Sequence, residues 1–184
     1  MKELSLYRIR DLAWSSGRSV FSVQQLANLI GKSKAISTVY SSRLVEKGLA
    51  VRVLKGVISF ENDSHVIATQ LVEPSYVSLD SALLFHGIIK QIPRNIECVT
   101  PKNSLKYEGL GIVYHKIPSS LFFGYRKHLK GKSYVFVAEP GKAFVDGFYL
   151  NLYAKKDLIE YSEKLDFSKV KGLLKAFKGR AAKK

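Results

Sequence analysis

Between residues 32 and 55 the chain places cations and short hydroxyl side chains at spacings suited to nucleic-acid binding. A helix predicted to begin after Ser33 directs one polar face outward. Short hydroxyl side chains let such a face approach base edges closely, and its cations can neutralise phosphates. The residues predicted on this face are Lys34, Ser37, Thr38, Ser42 and Arg43. The cations predicted to contact phosphates at the adjacent turn and hairpin are Lys32, Arg52 and Lys55.

The elements that must position these side chains are two short helices joined by a tight turn. Ser22 and Gln25 have the spacing of a capping box, so the first helix is predicted to begin at Ser22. Gly31 is predicted to end it, because glycine tolerates the left-handed conformation found at helix C-termini. Ser33 is predicted to cap the second helix. The apolar stripe predicted to be buried on the second helix is Ile36, Val39, Tyr40 and Leu44.

A hairpin is predicted after the second helix. Apolar segments 49–54 and 57–60 flank Lys55 and Gly56, which form a two-residue turn. With a further helix predicted over residues 3–15, the order becomes three helices and a hairpin. This is the order of a winged helix-turn-helix, which puts one helix into a DNA major groove. We therefore predict a DNA-binding domain over residues 1–61. A pure protein-interaction module with the same element order is the alternative.

Charge is concentrated at the two ends of the chain, whose net charge is +15. Residues 1–60 carry ten Lys and Arg and three Asp and Glu, a net charge of +7. Residues 61–150 are near +2, and residues 151–184 near +6. A basic module of this shape favours duplex DNA as the partner. A single-strand or RNA binder led by the basic C-terminal tail remains an alternative.

The rest of the composition predicts a soluble cytoplasmic protein. No apolar run approaches the roughly 18 residues that a membrane span needs, and the N-terminus lacks the apolar region of a secretory signal. Cys98 is the only cysteine, which excludes an intrachain disulfide and a cysteine-based metal cluster. Its apolar neighbours predict that it is buried.

Residues 62–184 are predicted to form a mixed α/β domain with a small antiparallel sheet, which makes the whole chain α+β. The predicted helices cover residues 65–72, 78–87, 140–150, 156–164 and 168–177. The predicted strands cover residues 95–100, 105–107, 112–117, 121–126 and 134–138. Ser78 has the position of a helix cap.

Catalytic chemistry finds little support in the sequence. The four histidines are too irregularly spaced for a metal site, and the chain has no phosphate-binding glycine loop. Glu97, Glu139 and Lys142 are the residue types of a metal-dependent nuclease, and that alternative stays open. Lys142 and Asp146, four apart on one predicted helix, are expected to form a weak pair. We predict no enzymatic activity, no catalytic residues, no metal and no cofactor.

Four motifs occur in order in the second half of the chain: YVSLDSALLFHGI (76–88), IPRNIECVTP (92–101), KIPSSLFFGYR (116–126) and VFVAEPGKAFVDGFYL (135–150). Together with the preceding helices and hairpin, they resemble the AbiEi antitoxin family over residues 1 to about 150. The residues that carry the resemblance are Tyr76, Ser78, Leu79, Ser81, Ala82, His86, Gly87, Pro93, Arg94, Thr100, Phe122, Phe123, Gly124, Pro140, Lys142, Ala143 and Asp146.

The resemblance implies a cytoplasmic antitoxin encoded beside a nucleotidyltransferase-like toxin. In that family the winged helix binds operator DNA and represses the operon, and the C-terminal domain is required to counter the toxin. The expected partners are therefore double-stranded operator DNA, bound by a monomer or homodimer, and a cognate toxin. A DNA-binding regulator with no toxin partner is the alternative.

Overall fold

The computed structural model describes residues 4–153, 161, 165 and 167–181. Helices and sheets both occur, so the predicted α+β class is confirmed. The chain divides into two compact units: Met1–Leu71 with Leu129–Val135, and Val72–His128 with Phe136–Lys184. Within the described ranges, none of the helices combines the length and apolar composition needed to cross a membrane.

The first unit combines short helices with a three-stranded antiparallel sheet. Its elements are α1 (Leu6–Ser15), β1 (Val20–Ser22), α2 (Val23–Ile30), α3 (Lys34–Glu46), β2 (Val51–Leu54), β3 (Val57–Ser59) and α4 (Ser64–Leu71). The strands lie in the order β1-β3-β2. The sequence pattern does not predict β1, because three residues are too few to show alternation. Its pairing with β3, Val20 opposite Ser59 and Phe21 opposite Ile58, defines it instead.

Local side-chain chemistry sets the ends of α2 and α3. The Ser22 hydroxyl accepts a hydrogen bond from the Gln25 backbone N–H, and the Gln25 side chain accepts one from the Ser22 N–H, which confirms the capping box. Gly31 ends α2 with φ +62°, as predicted. The Ser33 hydroxyl caps α3 by accepting from the Ile36 N–H at 3.3 Å. Only residues 31–33 therefore separate the two helices.

One apolar core orients the helices of the first unit. It consists of Ile9, Ala13, Phe21, Leu26, Tyr40, Leu44, Ala50, Ile58 and Phe60. Each large apolar side chain buried in such a core contributes about 1.5–3 kcal/mol. Tyr40 and Leu44 anchor α3 in this core, so the opposite side of α3 faces solvent.

The second unit is built on a six-stranded mixed sheet. Its elements are β4 (Tyr76–Val77), α5 (Leu79–Phe85), β5 (Ile96–Thr100), β6 (Leu105–Tyr107), β7 (Ile112–Lys116), β8 (Tyr125–Lys130), β9 (Ser133–Ala138), α6 (Pro140–Tyr149) and α7 (Phe167–Ala181). The turn end of β8 and β9 falls in the first unit. The strand order is β6-β7-β5-β4-β9-β8, and β5–β7 and β4–β9 are parallel pairs. Both α5 and α7 pack on α6.

The predicted small antiparallel sheet is therefore wrong. The two-residue strand β4 joins strands that lie far apart in the chain, and such pairing leaves no local pattern to read. The strand predicted over residues 121–126 is also wrong in its start, since Ser119–Leu121 forms a 3-10 helix and β8 begins at Tyr125. Of the helix predicted over residues 156–164, all but Tyr161 lies outside the described residues.

Candidate nucleic-acid interface

Three of the five residues predicted on the polar face of α3 are exposed. Lys34, Thr38 and Arg43 lie on the solvent side of the helix, and Ser42 is half-buried. The Thr38 hydroxyl donates to the Lys34 carbonyl at 2.9 Å, which leaves its methyl group directed away from that bond. The exposed face thus presents two cations with a short side chain between them. Such a surface can meet phosphates while keeping the helix backbone close to a ligand.

Ser37 does not belong to this face, and its predicted outward orientation is wrong. Its side chain is fully buried, and its hydroxyl donates to the Ser33 carbonyl at 2.9 Å. Ser41 is buried on the same side. The predicted faces of α3 were assigned by counting serine as polar. A short serine side chain can nevertheless be buried where the helix packs closely against the core of the unit, because its hydroxyl can bond to the helix backbone. The buried stripe of α3 is therefore rotated from the predicted one.

The same rotation exposes two residues that were predicted to be buried. Ile36 is 42% exposed and Val39 is 52% exposed, whereas Tyr40 and Leu44 are buried as predicted. Sequence reasoning therefore missed an apolar component of the α3 surface. The available signal was the Ser37, Tyr40, Ser41 and Leu44 spacing, which follows a helical stripe once serine is allowed into it.

The remaining predicted cations lie at the turn and on the hairpin. Lys32 is half-buried in the turn between α2 and α3, while Arg52 and Lys55 are exposed. Lys55 and Gly56 form the predicted two-residue turn, with φ +77° at Gly56. The Gly56 carbonyl accepts a hydrogen bond from the Val23 N–H at 2.9 Å. This bond ties the hairpin turn to the N-terminus of α2, so the hairpin is held beside the helix pair.

A buried glutamine holds β1 in the sheet of the first unit. The Gln70 side-chain oxygen accepts from the backbone N–H groups of Ser19 at 2.9 Å and Val20 at 3.2 Å. Its amide nitrogen donates to the Ser133 hydroxyl at 2.9 Å and to the Tyr134 carbonyl at 3.1 Å. Because every hydrogen-bonding group of this buried amide is used, it specifies one position for β1.

The second unit contains a buried ionic cluster, formed by Tyr76, Ser78, Lys142 and Asp146. The side chains of Lys142 and Asp146 are fully buried and hydrogen-bonded to each other. The Asp146 carboxylate also accepts from the hydroxyls of Tyr76 at 2.9 Å and Ser78 at 2.8 Å. Lys142 donates to the Tyr76 oxygen at 2.6 Å. The cluster therefore joins α6 to β4.

Two expectations are corrected by this cluster. The pair of Lys142 and Asp146 is not a weak surface pair, because both charges are removed from water. Ser78 is the N-cap residue of α5, as predicted, but its side chain makes no hydrogen bond to the start of α5, since its hydroxyl is bound to Asp146 instead. Spacing along one helix predicted the contact between the two charges. It could not predict their burial, which depends on β4.

Burial sets the protonation properties of the cluster. It raises the pKa of the Asp146 carboxyl and lowers the pKa of the Lys142 ammonium, because each charged form loses hydration. The opposite charge acts against both pKa shifts, and the hydroxyl donors of Ser78 and Tyr76 also act against the shift of Asp146. Burial also raises the pKa of Tyr76, and the Asp146 carboxylate adds to that effect. A charge pair in this position is stable only while both partners are present.

Lys142 is fully buried and closely packed. Its ammonium lies 4.9 Å from the ring centre of Phe177 and 5.4 Å from that of Phe123. A Cβ added to Gly124 would come within 3.1 Å of the Lys142 side chain, and Gly124 has φ +75°. The cluster therefore has the properties of a structural element.

The three side chains of the nuclease alternative each have a different partner. Lys142 is held in the buried ionic cluster, Glu97 pairs with His115 at 3.3 Å and Glu139 pairs with Arg126 at 2.5 Å. Among the described residues, no three His, Cys, Asp or Glu side chains are grouped as a metal site requires. The convergence that this alternative needs is therefore not found there.

No protein-family model matches the chain, and a search of curated proteins found no match. The resemblance to the AbiEi family accordingly stays a prediction. The residues of that resemblance that meet in or beside the buried ionic cluster are Tyr76, Ser78, Phe123, Gly124, Lys142 and Asp146.

Proposed function

We propose that the first unit is a winged helix that binds duplex DNA, and that the protein is a transcriptional repressor. The order α1-β1-α2-α3-β2-β3, with strand order β1-β3-β2, supports the winged-helix assignment. The observation that carries the proposal is the solvent face of α3, which exposes Lys34, Thr38 and Arg43 beside a hairpin bearing Arg52 and Lys55. A helix of this kind fits the major groove, which is about 12 Å wide.

The mechanism follows from the placement of these groups. The first turns of α3 approach base edges, while the surrounding cations bind phosphates and set the orientation on the duplex. Occupying a promoter in this way blocks access of the polymerase. The protein acts in the cytoplasm as a monomer or homodimer on DNA. For a homodimer, inverted half-sites should lie about one helical turn, roughly 34 Å, apart.

Titration of the full chain with duplex DNA from upstream of its own gene tests this proposal. Contacts from Lys32, Lys34, Arg43, Arg52 and Lys55 predict a log–log salt slope of about −4.5 for each bound copy. Arg43→Ala should weaken binding about tenfold and reduce the slope by about one. Lys102→Ala is the matched control, since it removes an exposed cation from the second unit and should change neither quantity.

Two results would reject DNA repression. One is affinity that does not depend on salt. The other is single-stranded RNA that competes as well as the duplex, which would favour the RNA-binding alternative led by the basic tail. Metal-dependent cleavage of the duplex, abolished by Glu139→Ala, would instead favour the nuclease alternative.

Neutralisation of a nucleotidyltransferase-like toxin is our second proposed function, assigned to the second unit. It rests on the resemblance, and it is supported by one observation. Residues from three of the four motifs meet in or beside one buried cluster, with Ser78, Gly124 and Lys142 as examples. The motifs thus contribute to one cluster of the second unit, the part of the chain to which the resemblance assigns neutralisation.

Co-expression with a neighbouring toxin-like gene separates this role from repression. The full chain carrying both Lys34→Ala and Arg43→Ala should lose operator binding and still restore growth. Failure of the wild-type chain to restore growth would reject the antitoxin role and leave the repressor role intact. A variant that loses both activities together would show that neutralisation acts through repression.

A further inference from the structure

The solvent face of α3 is apolar along its middle. Val39 is 52% exposed and Ile36 is 42% exposed, and Ala35 is exposed as well. Ala35 and Val39 are four residues apart, so they lie next to each other along the helix surface. Ser42, half-buried, continues this line three residues later, and the exposed Glu46 ends it after one more turn. The face therefore carries a strip of short side chains whose outermost groups are mainly methyl groups.

Polar and cationic side chains border this strip on both sides. With 3.6 residues per turn, Lys34 and Thr38 fall on one flank, and Arg43 falls on the other together with Ile36. A ligand for this face must offer apolar contact in its middle and negative charge at its edges. The DNA major groove does so, because thymine presents its 5-methyl group on the floor and phosphates line both walls.

A second copy of the chain fits this face less well. A two-fold symmetric contact through α3 would bring the same patch of both copies together. The α3 surfaces of the two copies would together bring four cations, from Lys34 and Arg43, against two carboxylates from Glu46, so the contact would carry a net positive charge. Like charges in such a contact oppose association. The charge at the edges of the strip therefore favours a polyanion.

We propose that Val39, with Ala35 and Ile36 beside it, contacts thymine 5-methyl groups and so requires thymine at defined operator positions. The inference rests on the proposed function and specifies the class of sequence that α3 reads. Thymine is the only base that presents a methyl group in the major groove. The short side chains of Ala35 and Ser42 let the helix approach closely enough for methyl-to-methyl contact.

Deoxyuridine substitution tests this contact directly, because deoxyuridine differs from thymidine only in lacking the 5-methyl group. Duplexes are first selected from a random-sequence pool by the full chain. Each thymine of the selected sequence is then replaced singly by deoxyuridine, and affinity is measured at fixed salt. At one or two positions the replacement should weaken binding about fourfold, the effect expected for losing one buried methyl group.

Protein variants assign the effect to a side chain. Val39→Ala should reduce the thymine-to-uracil affinity ratio at one position from about four to about one. It should fold normally, because Val39 is exposed and alanine favours helix. Val51→Ala is the matched control, since it makes the same change at a residue of β2 that is 37% exposed. Its ratio should match that of the wild type.

The outcomes separate this inference from the function on which it rests. If no duplex is selected, the DNA-binding proposal fails and this inference fails with it. If duplexes bind but every thymine tolerates deoxyuridine, this inference alone is overturned. An unchanged ratio in Val39→Ala overturns the assignment to Val39. Loss of self-association in Val39→Ala, with no change in that ratio, would make the strip a contact between copies.

Discussion

Lysine has opposite environments in the two units of this protein. In the first unit Lys34 begins α3 at the surface, beside other cations and facing solvent. In the second unit Lys142 is fully buried and bound to Asp146 and Tyr76. The first lysine keeps its hydration until a polyanion replaces it, so it can contribute to binding. The second has lost its hydration during folding, so it contributes to the folded structure and not to a binding surface.

The same contrast applies to serine. Ser42, on the outer face of α3, is half-buried, whereas Ser37 is buried and bound within its own helix. Ser78 is buried as well, but its partner is the distant Asp146. Residue type therefore does not separate a binding surface from a structural cluster. What distinguishes the two is the exposure of each side chain and the hydrogen-bond partner of its polar atoms.

Lys142→Met should have the largest effect on stability. It leaves the buried Asp146 carboxylate without its counter-charge, which should lower the free energy of unfolding by about 3–5 kcal/mol. Urea denaturation of the full chain measures the loss. The double variant Lys142→Met/Asp146→Leu is the control, because it removes both charges and should recover part of the loss. If the single variant loses less than about 1 kcal/mol, the cluster is not the structural element described above.

The Lys142→Met variant should also acquire a characteristic pH dependence. Without the ammonium, the pKa of Asp146 in the folded state should rise further above its unfolded value of about 3.9. A raised folded-state pKa stabilises the protein below the unfolded pKa, and this stabilisation is lost as pH rises through the folded value. The loss in free energy of unfolding relative to wild type should therefore be smaller at pH 4 than at pH 7. An equal deficit at both pH values would contradict the burial of an unpaired carboxylate.

Gly124→Ala should have the next largest effect, about 1–3 kcal/mol, because a non-glycine residue at φ +75° is strained. The added Cβ would also press on the Lys142 side chain. Gly87→Ala is the matched control: its φ is +70°, and nothing lies within 4 Å of its added Cβ. The difference between the two variants in urea denaturation measures crowding at the buried ionic cluster. Equal losses would mean that Gly124 is needed only for its backbone conformation.

Ser41→Ala and Ser37→Ala, both in α3, should change the stability of the first unit in different ways. Among the described residues the buried Ser41 hydroxyl has no hydrogen-bond partner, so its removal should stabilise the first unit by about 0.5–1 kcal/mol. The Ser37 hydroxyl does have a partner, so Ser37→Ala should be neutral or cost up to about 1 kcal/mol. Thermal unfolding compares them. Since both residues face away from the α3 surface, unchanged operator affinity is also expected, and a loss in Ser37→Ala would return it to the interface.

The smallest effect is expected at Cys98, whose thiol should not react with an alkylating agent while the protein is folded. Its thiol is fully buried, as predicted, and burial raises the pKa of that thiol far above its usual range. The reactive thiolate is therefore scarce and inaccessible at pH 8. Mass spectrometry after iodoacetamide treatment should show alkylation only when urea is added. Rapid alkylation of the native chain would mean that the strand β5 opens more readily than its burial implies.

The features that sequence predicted correctly are local ones. Ser22 with Gln25, Gly31 and Ser33 set helix ends through groups within a few residues, and Lys55 with Gly56 does the same for the hairpin. Such contacts form between neighbours whatever the rest of the chain does, so residue type and spacing are enough to find them. The net charge of the first 60 residues is likewise a property of composition alone.

The wrong predictions concern burial and strand pairing, which depend on contacts between residues far apart in the chain. Whether α3 buries Val39 or Ser37 depends on the shape of the core that α1, α2 and the sheet present to it, and helical spacing allowed both. The two-residue strand β4 exists only because β5 and β9 pair with it. The buried Asp146 carboxylate is hydrogen-bonded by the hydroxyls of Tyr76 in β4 and of Ser78 just after it, which come from a distant part of the chain.

By itself, then, the sequence determined the helix ends, the hairpin turn, the basic character of the first 60 residues and the spacing of the Lys142–Asp146 pair. Tertiary structure alone decided which face of α3 meets solvent, how the strands are ordered and which charges lose their water. The physical reason is the distance along the chain over which the stabilising interactions act. Caps and turns are stabilised by hydrogen bonds between near neighbours, whereas burial is a free energy shared among segments that only the folded chain brings together.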